Sequence, residues 1–156
     1  MFHRLRQRST DEGGFTLIEL LVVILIIGIL AAIAIPTFLN QKGKAYDASA
    51  KEVARTAQTT AETYATDHNG EYTGMVTAEL EKYETGLTKC PGAVSEQTNA
   101  CFLSSKPEET GKGYVVTARA ANTGDEFTIT RNEKGEVTRT CKSAKTGCSG
   151  SGSGSW

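Results

Sequence analysis

Histidine, tryptophan and proline are all scarce in this chain, and their scarcity restricts the chemistry open to it. The 156 residues include two histidines, one tryptophan and three prolines. Apart from His3 near the N-terminus, the only imidazole is His68, which precedes an Asn-Gly turn and is typical of an exposed helix end. The sequence shows no Ser/His/Asp set, paired carboxylates or phosphate-binding glycine loop. We therefore predict that the protein is not an enzyme.

Spacings that bind metal ions are also lacking. The cysteines contain no CxxC pair, which zinc sites commonly use. Asp125, Glu126 and Glu133 are acidic but do not have the clustered spacing of a calcium loop. The sequence thus predicts neither a metal site nor any other cofactor.

The four cysteines instead favour disulfides, which persist in oxidising compartments outside the cytoplasm. Four cysteines allow three pairings, and the local pairing closes the shortest loops. Each short loop stabilises a fold by about 2–3 kcal/mol. We favour this local pairing over the other two, that is, Cys90 with Cys101 and Cys141 with Cys148.

Charge is absent from a long internal stretch, since no charged residue occurs between Leu20 and Gln41. About 20 apolar residues in a helix span the hydrocarbon core of a bilayer, so this segment is long enough to cross a membrane. Arg4, Arg6 and Arg8 precede it, which predicts an N-terminus in the cytoplasm and a body outside. Lys42 and Lys44 follow the run and weaken this bias.

One long helix is predicted from Phe15 to about Asp67. Its first half is apolar all round, as in a lipid-embedded or bundle-core helix. In its second half, apolar residues recur every three or four positions, namely at Tyr46, Ala50, Val53, Ala57, Ala61 and Tyr64. The opposite face carries Lys51, Glu52, Arg55, Gln58 and Glu62 and is expected to face water. Gly28 and Pro36 interrupt the first half, where they cost roughly 1 and 3 kcal/mol as helix residues.

The remainder predicts a small antiparallel sheet. A short helix is expected at 77–83, followed by a loop that holds Cys90 and Cys101. Three strand-like runs follow at 113–120, 126–132 and 136–142, joined by short Gly-containing turns. We predict an α+β fold in which the second half of the long helix packs on a three-stranded antiparallel meander.

At its N-terminus the chain resembles the type IV pilins and type II secretion pseudopilins. The resemblance is carried by a short basic leader ending in Gly13-Gly14, then Phe15, Thr16, Leu17 and Glu19, then the apolar helix. It is close over residues 1 to about 40, and beyond that the match is one of layout. It implies a pilin-like fold, cleavage between Gly14 and Phe15 by a prepilin peptidase, and N-methylation of Phe15.

The resemblance suggests a role for Glu19. An ionised carboxylate in a lipid-facing helix costs roughly 2.5–3.5 kcal/mol on insertion scales. Cleavage would create an amino group on Phe15, and packing in a fibre would bring the amine of one subunit toward Glu19 of its neighbour. We expect this pair to set the register of assembly, and Gly28 and Pro36 to mark where the helix melts locally in the fibre.

The expected protein is the major structural subunit of a type IV pilus-like filament. Its partners would be further copies of itself, the prepilin peptidase, and an assembly platform with its ATPase. It would lie in the cytoplasmic membrane as a single-pass precursor and outside the cell once assembled. The predicted segments are a cleaved leader (1–14), a transmembrane and assembly helix (15–40), a globular head (41–149) and a flexible Gly/Ser-rich tail (150–156), which is either native or left from cloning.

Several alternatives stay open. A pseudopilin of type II secretion is the first, although the cysteine-containing C-terminal region favours a pilin because major pseudopilins often use bound calcium there. An adhesion or DNA-uptake pilin is the second. Basic side chains in the sheet region could form a stripe along a fibre, namely those of Arg119, Arg131, Lys134, Arg139, Lys142 and Lys145. A secretory signal cut after Ala34 and a single-pass anchor that never polymerises are less favoured.

Overall fold

The computed structural model describes residues 14–90, 99–143, 148 and 153–156. Its elements are two helices, α1 (Leu17–Asp67) and α2 (Thr77–Tyr83), and five strands, β1 (Ala100–Pro107), β2 (Tyr114–Ala120), β3 (Glu126–Arg131), β4 (Val137–Lys142) and β5 (Ser153–Ser155). The chain forms two compact units that divide between Phe38 and Leu39. We call residues 39–156 the head.

Helix α1 ends where the sequence predicts. The N–H groups of His68 and Gly70 donate to the carbonyl of Ala65 at 3.1 and 2.7 Å, which closes the last turn. Asn69 and Gly70 then adopt positive φ angles of 57° and 85°, a conformation that these two residue types tolerate best. The Asn-Gly pair therefore terminates the helix by its backbone conformation.

A row of alanines forms the buried face of α1 in the head. Ala50, Ala54, Ala57 and Ala61 are fully buried. Opposite them, the core contains large side chains from the sheet, namely Phe102, Tyr114, Val116, Phe127 and Ile129. Small residues on the helix thus leave the space that the sheet aromatics fill. The predicted apolar face is confirmed, and the structure adds Ala54 and Ala65 to it.

The sheet is antiparallel in the order β1-β2-β3-β4-β5. The predicted α+β class, α2 and the three central strands are confirmed, but the number of strands is five rather than three. Cys101, which was expected in a loop, lies in β1. The N–H of Cys90 donates to the carbonyl of Phe102 at 2.8 Å, and the N–H of Phe102 donates to the carbonyl of Thr88 at 2.8 Å, so residues 88–90 cover part of the outer edge of β1.

The fifth strand corrects the prediction of a flexible tail at residues 153–156. Ser153–Ser155 pair with Thr140–Lys142 of β4, although glycine and serine have little intrinsic preference for strands. Trp156 holds this strand in place, because its indole Nε1 donates to the carbonyl of Thr140 at 2.9 Å and its ring meets Phe127 edge-on at 5.7 Å. Tertiary packing of one side chain therefore outweighs the local composition.

Candidate functional site

The N-terminal part of α1 exposes a long apolar surface in which Glu19 is the one charged residue between positions 15 and 39. Between residues 15 and 39 the large hydrophobic side chains are exposed to between 46% (Val23) and 86% (Phe15). The helix is long and apolar enough to cross a membrane. Exposed apolar surface of this extent is unfavourable in water, so this segment requires lipid or protein partners.

The predicted cleavage junction lies at the start of this surface. Gly14 and Phe15 are exposed, and α1 begins two residues later at Leu17. No heavy atom outside the neighbouring residues lies within 4 Å of where a Cβ on Gly14 would stand. The peptide bond between these residues is therefore accessible. Gly13 lies outside the described residues.

Thr16 and Glu19 form a capping box at the first turn of α1. Glu19 Oε2 accepts hydrogen bonds from the backbone N–H of Thr16 at 2.9 Å and from its hydroxyl at 2.7 Å. In return the N–H of Glu19 donates to Thr16 Oγ1 at 3.2 Å. This reciprocal arrangement satisfies N–H groups that a helix start otherwise leaves unpaired. The sequence pattern T-x-x-E encodes it, and this role of Glu19 was not among those predicted.

The helix runs through both Gly28 and Pro36. Pro36 lies inside α1 without ending it. In the turn that contains Pro36, the hydroxyl of Thr37 donates to the carbonyl of Ala34 at 2.8 Å. Melting is expected only in the assembled fibre, so it stays a prediction for both residues.

In the head, Glu62 connects helix and sheet. Its carboxylate accepts hydrogen bonds from the hydroxyls of Tyr72 at 2.7 Å and Tyr114 at 2.9 Å, and Arg131 Nε lies 3.4 Å away. The side chain of Glu62 stays 44% exposed, in line with the predicted water-facing side, but two tyrosines from distant segments also reach it. Burial, together with the hydrogen bond to Glu62, raises the pKa of Tyr72 to about 12. The same causes raise the pKa of Tyr114.

A buried carboxylate, Asp47, fastens the β2–β3 turn to α1. It is 3% exposed, and its Oδ1 accepts a hydrogen bond from the hydroxyl of Thr123 at 2.9 Å. Its other oxygen, Oδ2, has no hydrogen-bond partner among the described residues. Burial raises the pKa of Asp47, the fully buried Asp125 raises it further, and the Thr123 hydrogen bond and the Lys51 charge oppose this shift. Neither acid belongs to a metal-binding group in the described part of the chain.

The four cysteines form two disulfides. Cys90 pairs with Cys101 and Cys141 with Cys148. The first ties residues 88–90 to the edge strand β1. The second joins β4 to the segment that leads to β5.

The bases expected to form one stripe are spread over both faces of the sheet. Arg119 pairs with Glu126 at 2.6 Å, and this pair lies in one register row with Lys142. Arg131 and Arg139 lie in register with residues of the helix-facing side, where Arg131 pairs with Glu62. Lys145 lies outside the described residues. The structure therefore does not support a single basic stripe made of these residues.

Comparison with known proteins agrees with this architecture. The family model described as the prokaryotic N-terminal methylation motif matches residues 10–35. The ComG operon protein 3 homolog of Bacillus licheniformis is 35% identical over 81 residues, which cover 52% of this chain and 84% of that protein. The fimbrial protein of Neisseria meningitidis is 39% identical over 114 residues, or 73% of this chain and 58% of that protein.

The type IV major pilin protein PilA of Myxococcus xanthus is 48% identical over 48 residues, which cover 31% of this chain and only 22% of that protein. No solved structure matches the chain significantly.

An exposed apolar helix that follows a predicted cleavage junction and continues into an α+β head is typical of filament subunits. The chain belongs to the family of type IV pilins and type II secretion pseudopilins. It is a type IV pilin-like subunit, which makes it a structural protein and not an enzyme. Membership implies self-assembly and processing by a prepilin peptidase.

Proposed function

We propose that the protein is the major subunit of a type IV pilus-like filament. Prepilin peptidase cuts between Gly14 and Phe15, Phe15 is N-methylated, and the chain polymerises through residues 15–40 while the head faces outward. Before assembly the chain crosses the cytoplasmic membrane with its N-terminus inside. The observation that carries this proposal is the exposed apolar helix with a single carboxylate, Glu19, four residues from the junction.

The capping box makes the proposed role of Glu19 more specific. Thr16 holds only Oε2, and no hydrogen bond to Oε1 occurs among the described residues. The box fixes the carboxylate at the helix start, and Oε1 stays available to the methylated amine of a neighbouring Phe15. In an apolar core this attraction is much stronger than in water. Two contributions of Glu19 must therefore be separated, its capping and its charge.

Two conservative variants make this separation. Glu19→Gln keeps a residue type that completes a capping box but removes the charge. Thr16→Val keeps the charge and removes the capping hydroxyl, at a cost of about 1 kcal/mol. We expect Glu19→Gln to lower the yield of sheared surface fibres by about 10-fold or more, and Thr16→Val to lower it only a few-fold.

The readout is electron microscopy and peptide identification of material sheared from cells, with mass analysis of the N-terminus. Wild-type chains should begin at a methylated Phe15, and both variants should be processed alike. Normal fibre yield from processed Glu19→Gln would refute the charge pairing. If wild-type cells carry no surface fibres but lose protein secretion when the chain is deleted, the pseudopilin alternative is correct.

A further inference from the structure

The two ends of the head differ in charge. At the end that we call the near end, the β2–β3 turn lies beside the first part of the head helix, because Thr123 binds Asp47. At the opposite, far end, the start of β2 lies beside the last turns of the helix, because Tyr114 binds Glu62. Each end can therefore be assigned its charged side chains.

The far end carries an acidic rim made of Glu71, Glu109 and Glu133. All three side chains are exposed, and none of them forms an ion pair within the described ranges. They come from three segments that meet at this end. The N–H of Tyr72, next to Glu71, donates to the carbonyl of Gly111 at 2.8 Å in the connection that carries Glu109.

Glu133 belongs to the same end because it follows β3, whose last residue Arg131 pairs in register with Tyr114. Lys112 and Lys134 also lie in these connections. Glu108 and Glu136 balance these two lysines, and Lys106 at the end of β1 offsets only one of the three rim carboxylates, so the far end keeps an excess of negative charge.

Between the two ends, three basic side chains surround the ring of Trp156, since Arg55 lies midway between Asp47 and Glu62 on the helix and Arg139 pairs in register with Ile129 of β3. Lys51 Nζ, Arg55 Cζ and Arg139 Cζ lie 5.9, 5.6 and 5.9 Å from its centroid, within cation–π range. We call these three bases and Trp156 the basic patch. The only ion pair that any of them makes in the described structure is the exposed contact of Arg55 with Glu52 at 3.8 Å. Glu52 and the buried Asp47, which interacts with Lys51, oppose three cations, so the patch keeps an excess of positive charge on a helix–sheet scaffold.

We infer that the basic patch of one subunit docks on the acidic rim of a second copy of this chain. This inference rests on the proposed function, since it describes contacts between heads in a filament. Parallel copies displaced along a common axis by less than the length of a head bring the patch of one head beside the far end of another. Such a contact joins two different surfaces, so it repeats without closing and is compatible with an open filament.

Charge complementarity favours a second copy over an unrelated ligand. Both partners of the contact lie on the same chain, at different levels along the head. The Trp156 ring is covered by the cations and its N–H donates to the carbonyl of Thr140. The groups of the patch that remain for a partner are therefore the charged ends of Lys51, Arg55 and Arg139. Guanidinium groups bind carboxylates through paired hydrogen bonds, and the exposed glutamates of the acidic rim supply such carboxylates.

The test uses two charge-reversed full-length chains expressed in fibre-forming cells, separately and together. The patch variant carries Arg55→Glu and Arg139→Glu, and the rim variant carries Glu71→Lys, Glu109→Lys and Glu133→Lys. We expect each variant alone to lower the fibre yield by about 5-fold or more, because like charges then face each other. Together they should recover most of the yield as mixed fibres, in which every contact is again complementary.

Lys82→Glu serves as the control, because it reverses one exposed charge on α2 outside both surfaces. Recovery in the mixture also shows that both variants fold. Wild-type yield from either variant alone overturns the inference, as does failure of the mixture to recover. So does a patch variant that assembles normally but loses retention of an anionic polymer such as heparin. If the wild type forms no fibre, the proposed function fails as well, whereas the other outcomes leave it standing.

Discussion

Asp47 offers the sharpest test of how the head is held together. Replacement by asparagine keeps the shape of the side chain and the oxygen that accepts the hydrogen bond from Thr123. It removes a buried negative charge beside Asp125. We expect Asp47→Asn to stabilise the head at pH 7 to 8.

The size follows from the partners of the two carboxylate oxygens. Oδ2 has no hydrogen-bond partner in the described residues, and an unsatisfied buried polar atom costs about 1–3 kcal/mol. Asparagine places an equally unpaired Nδ2 at this position, so that cost remains, but removing the buried charge and its repulsion from Asp125 should recover about 1 kcal/mol. For a head of roughly 100 residues, each 1 kcal/mol raises Tm by about 4–8 °C.

The effect should depend on pH with a definite sign. The pKa of Asp47 is raised in the folded head, so the folded state holds this proton more tightly than the unfolded state. The free energy of unfolding is therefore higher at acid pH and falls as pH rises from the unfolded pKa, about 3.9, through the folded one. The asparagine side chain does not titrate, so the advantage of the variant should shrink as pH falls toward 4.

The assay is thermal unfolding of the full chain in detergent, followed by near-ultraviolet circular dichroism between pH 4 and 8. Glu109→Gln, an exposed carboxylate exchanged in the same way, should leave Tm within about 2 °C. Thr123→Val should lower Tm at pH 7, because Asp47 then loses its hydrogen bond. A lower Tm for Asp47→Asn at pH 7, or a pH profile unchanged from wild type, would refute this reasoning.

Two further predictions concern the contacts between helix and sheet. Glu62→Ala should destabilise the head by about 2–4 kcal/mol, because two tyrosine hydroxyls lose their hydrogen-bond acceptor. Glu62→Gln should cost less, and it should lower the pKa of Tyr72 from about 12, as measured by ultraviolet titration. Trp156→Ala should uncover Phe127 and lower stability by about 1–3 kcal/mol, and Trp156→Phe by about 1 kcal/mol, both read from Tm; unchanged Tm in Trp156→Ala would show that β5 does not cover the core.

The elements with strong periodicity could be predicted from sequence. The second half of helix α1 and strand β3 have apolar residues at regular intervals, short Gly-containing turns delimit β2 and β4, and Asn69-Gly70 gives a clear stop. Strand β1 was missed because its residues, ACFLSSKP, do not alternate between apolar and polar and end in proline. Strand β5 was missed because its pairing depends on Trp156, whose contacts are tertiary.

The charged residues were harder to interpret. Period alone placed Glu62 on the water-facing side, since nothing local indicates that Tyr72 and Tyr114 will reach it. The burial of Asp47 likewise depends on Thr123, which is 76 residues away. The capping role of Glu19, in contrast, is a local T-x-x-E signal that could have been recognised from the sequence.

The alanine row of α1 limits where this protein can change over evolutionary time. A larger residue at Ala50, Ala54, Ala57 or Ala61 would overpack the core that these alanines share with the inner side of the sheet. The outer side faces no such restriction, and its strands present short hydroxyl side chains such as Thr128 and Thr140 in register. Substitutions should therefore be tolerated mainly on that outer side, while the inner side stays fixed.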